Sequence, residues 1–124
     1  MSALIYDELT GLITPFYFYE SAKRLRSWAD RKGQALSLIS IKLPDLEDDQ
    51  IVACASKLSN ELRGGDLLTR MGNQLFVLLL LGDRIGAEHL IFRLTHTVRP
   101  KLNYEATEIE KDETLVKALE RLAV

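Results

Sequence analysis

The sequence predicts an α+β domain in which a central sheet containing antiparallel strands is covered by helices. Residues 62–81 carry most of that expectation, because two apolar runs, 66–71 and 74–81, flank Gly72-Asn73, a pair that tolerates the positive φ of a tight two-residue turn. The second run is apolar without interruption from Leu75 to Leu81, too short to cross a bilayer and bounded by Gly82-Asp83, as suits a central strand buried on both faces. Segments of helical spacing alternate with strand-like ones on either side of this hairpin. A doubly wound parallel sheet fits less well, since the hairpin breaks strict alternation and no Gly-rich loop follows the first strand.

The elements follow in order. Residues 7–12 form a short opening segment, after which Thr14 can cap a helix and Pro15 can take its first position. Phe18, Ala22, Leu25 and Ala29 recur on one helical face, flanked by Tyr19 and Trp28, and the helix stops near Lys32-Gly33. Residues 34–43 read as a strand through Leu36, Leu38, Ile39, Ile41 and Leu43, ended by Pro44. An acidic connection, 45–49, leads into a second helix with Ile51, Ala55, Leu58 and Leu62 on one face, stopping at Gly64-Gly65. After the hairpin, Ala87, Leu90, Ile91, Leu94 and Val98 mark a third helix closed by Pro100. Residues 101–110 alternate Leu102, Tyr104 and Ala106 with polar residues, the pattern of a half-exposed edge strand. Asp112 or Thr114 can cap a last helix with Leu115, Ala118, Leu119 and Leu122 on its apolar face. Helices on a sheet with one direct hairpin make a sandwich of the ferredoxin-like or polymerase-palm kind.

Composition limits what such a fold can do. The 124 residues, 47% hydrophobic and 27% charged, suffice for a single domain spanning 1–124 with a genuine core. A net charge of −2 provides no basic excess for a nucleic acid polymer, although one small charged ligand remains open. The single cysteine, Cys54, forms no internal disulfide and builds no zinc site alone, which fits a reducing cytoplasm. The first residues lack a signal-peptide pattern and no stretch is apolar enough for a membrane span, so the expected location is cytoplasmic, away from the membrane.

Three motifs in order carry a resemblance. Asp7-x-Leu9-Thr10-Gly11-Leu12, followed by Phe18, comes first. Ala55-x-x-Leu58-x-x-x-Leu62-Arg63-x-x-Asp66 comes second, and Arg70-Met71-Gly72 third. Together they resemble the GGDEF domains of bacterial cyclic di-GMP signalling, from Asp7 to about Leu119, as motif up to Arg93 and as pattern beyond it. In that alignment Gly72, Asn73, Gln74, Leu75 and Phe76 occupy the five signature positions, keeping the first glycine and the final phenylalanine.

The resemblance implies a metal-dependent cyclase, which joins two GTP molecules using divalent ions held by carboxylates. This chain departs from that chemistry at both carboxylate positions. Lys42 stands where the first-strand metal aspartate belongs and neutral Gln74 where the acidic signature residue belongs, with Leu75 beside it. The region between Leu43 and Ala55 is also shorter than the family's by about one loop and one helical turn, which removes its guanine- and phosphate-contacting segment. Asp45, Asp48 and Asp49 read as a solvated helix start rather than substitute ligands. The expectation is a degenerate domain with no catalytic residues, no metal and no cofactor.

The resemblance leaves a second ligand site. Arg63-x-x-Asp66 matches the family's inhibitory product site for cyclic di-GMP, and Arg93 falls where the family often supplies another arginine. The chemistry is sound in itself: a guanidinium binds a phosphate or the O6/N7 edge of guanine bidentately, and a carboxylate accepts from guanine N1–H and its amino group. In isolation, an R-x-x-D between helix and strand reads as an exposed ion pair worth roughly 0–1 kcal/mol. Arg70 reads either as assisting the ligand or as a solvent-facing strand residue, and His89 and His96 as surface histidines. Phe16, Tyr17, Tyr19 and Trp28 read as core and rim of the first helix, not a base-stacking platform. The first expectation is therefore a cyclic di-GMP receptor. The alternatives are a scaffold for homodimerisation or for another signalling protein without nucleotide binding, and a residual GTP-binding regulator or cyclase.

Overall fold

The computed structural model describes residues 5–122, so the first four residues, read above against a signal peptide, lie outside the described part. Helix α1 (Pro15–Lys32) starts as its sequence dictates: the Thr14 side chain accepts from the Tyr17 N–H, proline opens the first turn, and Gly33 closes it at φ 66°. Strand β1 (Leu36–Lys42) follows, then α2 (Asp48–Asn60), the hairpin β2 (Leu67–Gly72) and β3 (Leu75–Leu81), α3 (Arg84–Thr97), β4 (Asn103–Glu108) and α4 (Leu115–Arg121). Thr114, not Asp112, caps α4, and the Arg121 guanidinium grips both carboxylate oxygens of Glu113 at 2.6 Å, holding that acid down at about 2.

The four strands are ordered β2-β3-β1-β4, and every neighbouring pair is antiparallel. β3 is central, as its unbroken apolar run requires, and β4 is an edge. Side chains alternate between two cores. Ile39, Ile41, Leu68, Phe76 and Leu78 pack under α2 and α3, whereas Leu38, Val77 and Leu79 pack under Phe18 and Ala22 of α1 and Leu119 of α4.

Three local expectations are corrected. α2 ends at Asn60 rather than at Gly64-Gly65, because residues 63–66 close a turn of their own in which Asp66 N–H donates to the Arg63 carbonyl at 3.1 Å. The hairpin reverses through Asn73-Gln74, and neither Gly72 nor Asn73 has a positive φ. A register shift between Arg70 and Gly72 accompanies this turn, and such a bulge supplies the extra twist that a left-handed turn would otherwise provide. Phe16 is not core: it is 66% exposed, on the side of α1 turned away from Phe18.

Candidate functional site

The two ends of the hairpin build two different places, separated by the length of a strand, roughly 20 Å at 3.3 Å per residue. At the base, β2 begins, β3 ends and α3 passes alongside. There Glu61, Arg63, Asp66, His89 and Arg93 line one cavity of about 220 Å³ with Leu81 and Gly82. The three residues singled out from sequence are thus brought together. Arg63 arrives from the loop after α2, Asp66 from the residue before β2, and Arg93 from α3.

The Arg63-x-x-Asp66 segment is not an ion pair between side chains. One oxygen of Asp66 accepts from the Arg63 backbone N–H and the other from the Leu81 N–H, each at 3.0 Å. Two main-chain donors therefore orient the Asp66 carboxylate at the edge of the cavity. Gly65 makes this approach possible: its φ is +97°, and a β-carbon there would lie 2.5 Å from Leu81 Cδ1. The Arg63 side chain is exposed and enters no described hydrogen bond, leaving its guanidinium available to an anion. Arg93 is occupied, with Nε donating to Glu61 Oε1 at 3.4 Å.

The sequence reading missed Glu61, and His89, exposed as expected, also lines the cavity. The signals were present but weak: His89 precedes Arg93 by one helical turn, and Glu61 sits two residues before Arg63. The cavity is smaller than the roughly 300–1,000 Å³ of pockets that enclose a drug-sized ligand.

At the tip, Asn73, Gln74 and Arg70 border another cavity of about 230 Å³ with Asp45 and Asp48. Lys42 is exposed at the end of β1, in register with Leu75, and the Gln74 carbonyl accepts from Leu43 N–H at 2.9 Å. Among the described residues, no group of three His, Cys, Asp or Glu side chains is placed to hold a metal ion. Arg70 neither reaches the basal cavity nor faces solvent. It lies 3.4 Å from Asp7 Oδ2 and 3.2 Å from Asn73 Oδ1, with only 14% of its side chain exposed.

Asp7 is the anchor of the opening segment. Burial works against its ionised form. The Thr10 hydroxyl and N–H, donating at 2.7 and 2.9 Å, together with Arg70 outweigh that effect and hold its carboxyl below the usual range.

A larger cavity, about 530 Å³, lies elsewhere, between α1 and α4 over Leu36, Leu79 and Ile109. Its cations already have local partners, Lys23 with Glu20 at 2.9 Å and Arg26 with the Glu110 carbonyl at 3.2 Å. Its volume is therefore no argument for placing the charged-ligand chemistry there.

No protein-family model and no curated protein matches the sequence. Solved structures do match it. The diguanylate cyclase SiaD of Pseudomonas aeruginosa, crystallised with its activator SiaC, superposes at a TM-score of 0.86 with 25% identity, over 97% of this chain and 55% of that one. The chain thus spans about half the length of SiaD. A sensory box/GGDEF family protein from Caulobacter crescentus matches at 0.81 with 19% identity, over 94% of this chain and 90% of that one. The GGDEF domain of DgcB from Caulobacter crescentus, in complex with c-di-GMP, matches at 0.78 with 15% identity, over 94% and 84%.

Proposed function

Starting from a chain that carries the fold of the GGDEF domains, we propose that it is a catalytically inactive signalling domain that binds cyclic di-GMP at the base of its hairpin. The observation that carries this reading is the convergence of Arg63, Asp66 and Arg93 on one cavity. A neighbour of the same fold, the DgcB domain, is known in complex with c-di-GMP, which supports the ligand class. Arg63 supplies the bidentate donor for a phosphate or a guanine edge, Asp66 the oriented acceptor, and Arg93 a second cation. Inactivity rests on the tip, where Lys42 and neutral Gln74, with Leu75 beside it, stand in place of anionic metal ligands and a lysine ammonium repels a divalent ion. A domain responding to an intracellular dinucleotide belongs in the cytoplasm.

Isothermal titration with cyclic di-GMP tests the reading. Saturable binding at or below tens of micromolar, abolished by Arg63→Ala, is the expected result. No binding in that range, or binding indifferent to Arg63→Ala, rejects it. Product formation from GTP with magnesium or manganese rejects the claim of inactivity.

A second reading is an interaction scaffold, alone or as a homodimer. It is favoured by the outer face of α3, where Ile85 and Phe92 are 63% and 67% exposed. Concentration-dependent sedimentation that is indifferent to nucleotide is its signature.

A further inference from the structure

The basal cavity contains a competitor for its own ligand. We infer that Glu61 occupies the anion position of Arg93 in the empty protein and must be displaced when an anionic group of the ligand enters, so that this residue sets the affinity of the site. The inference rests on the receptor reading above and goes beyond it.

The carboxylates at this end of the hairpin differ in what holds them. Asp66 has both oxygens committed to main-chain N–H groups, at 3.0 Å each, and cannot turn without breaking the loop that it closes. Glu61 has no main-chain donor among the described residues, and its one partner is Arg93 Nε at 3.4 Å. That distance lies beyond the usual 2.7–3.2 Å of an N–H···O bond, and the contact uses one oxygen rather than two. The two side chains are 29% and 44% exposed, so water screens their attraction. The pair is a weak, single-point contact.

A phosphate offers Arg93 something better. Two of its oxygens can meet the guanidinium in parallel, a geometry both stronger and more specific than the single contact it replaces. Displacing Glu61 nevertheless opposes binding in two ways. Arg93 must give up its present partner, and the released carboxylate stays near a ligand of its own sign. Replacing Glu61 by a neutral isostere removes both effects, and an exposed pair of this kind corresponds to roughly a two- to fivefold change in affinity, with charge repulsion adding to it.

The test is a thermodynamic cycle read by isothermal titration with cyclic di-GMP on the full chain: wild type, Glu61→Gln, Arg93→Ala and the double variant, with Glu88→Gln as a charge-matched control. Glu88 pairs with Arg84 on α3 at 3.3 Å and does not line the cavity. Glu61→Gln is expected to bind roughly three- to tenfold more tightly than wild type, and Glu88→Gln within about twofold of it. In the Arg93→Ala background the gain is expected to fall below about twofold, or binding to be lost with either residue at 61. Glu61→Ala, which loses the charge without gaining an amide, is expected to move in the same direction.

Binding by wild type that is unchanged or weakened in Glu61→Gln overturns this inference and leaves the receptor reading standing. A gain that persists undiminished without Arg93 also overturns it, since Glu61 would then act by repulsion alone. Absence of binding by wild type overturns the receptor reading whatever Glu61→Gln does; absence of binding by both overturns this inference as well, whereas binding by Glu61→Gln alone supports the competitor role of Glu61.

Discussion

At the scale of single residues, the base of the hairpin depends on a backbone conformation that side chains with a β-carbon resist. Gly65 stands at φ +97° against Leu81, whereas Gly64 has open space around the position of a β-carbon. Gly65→Ala is therefore expected to lower stability by roughly 1–3 kcal/mol, from left-handed strain and displacement of the Leu81 side chain. Gly64→Ala is expected to stay within about 0.5 kcal/mol of wild type. Urea denaturation of the two variants measures the contrast, and equal stabilities would show that the loop bears no strain at 65. The pattern Arg63-x-x-Asp66 was legible in the sequence, but the use of Asp66 was not. Its carboxylate closes a local turn and also reaches Leu81, fifteen residues further on, a contact that only the folded hairpin creates.

Among the elements, the hairpin was the most legible, because an unbroken apolar strand beside a glycine-containing turn has few other ways to fold. The position of the reversal was less so, since the bulge before Gly72 moves the turn by one residue and no single residue type marks a bulge. The hairpin's link to the opening segment was also hidden. Arg70 looked like a ligand contact or a solvated strand residue, yet it holds Asp7, and the Thr69 hydroxyl donates to the Ile13 carbonyl at 2.6 Å. Asp7→Asn is expected to destabilise the domain at neutral pH by roughly 1.5–3 kcal/mol, the scale of hydrogen bonds to a charged group. Because the Asp7 carboxyl is held below its ordinary 3.8, its contribution is present above that pH and is lost as pH falls through the lower folded value. Thermal melts of wild type and Asp7→Asn at pH 7 should differ and converge below about pH 3.8. A constant difference across that range would remove ionised Asp7 as the cause.

At the scale of the whole molecule, the α+β class and the order of elements followed from hydrophobic period together with the turn and capping residues between the apolar runs. The pairing of β1 between β3 and β4 did not, since sequence neighbours carry no signal for a partner more than thirty residues away. That pairing makes β3 the seam between two cores. Leu78 enters the core under α2 and α3, and Leu79 the core under α1 and α4. Truncating either leaves a cavity on one face only, and a buried Leu→Ala change costs roughly 2–5 kcal/mol. Layers that fold independently would confine the loss to the damaged side. Strand β3 shares its backbone with both faces, however, so neither core survives without the other, and Leu78→Ala and Leu79→Ala are expected to shift a single common transition. Trp28, the chain's one tryptophan and 40% exposed on α1, reports the α1 layer by fluorescence, while far-UV circular dichroism reports all helices together. In urea the two signals are expected to coincide for wild type and for both variants. Trp28 fluorescence that changes before the circular dichroism in Leu79→Ala, but not in Leu78→Ala, would show that the α1 layer comes away from the sheet while the remainder stays folded.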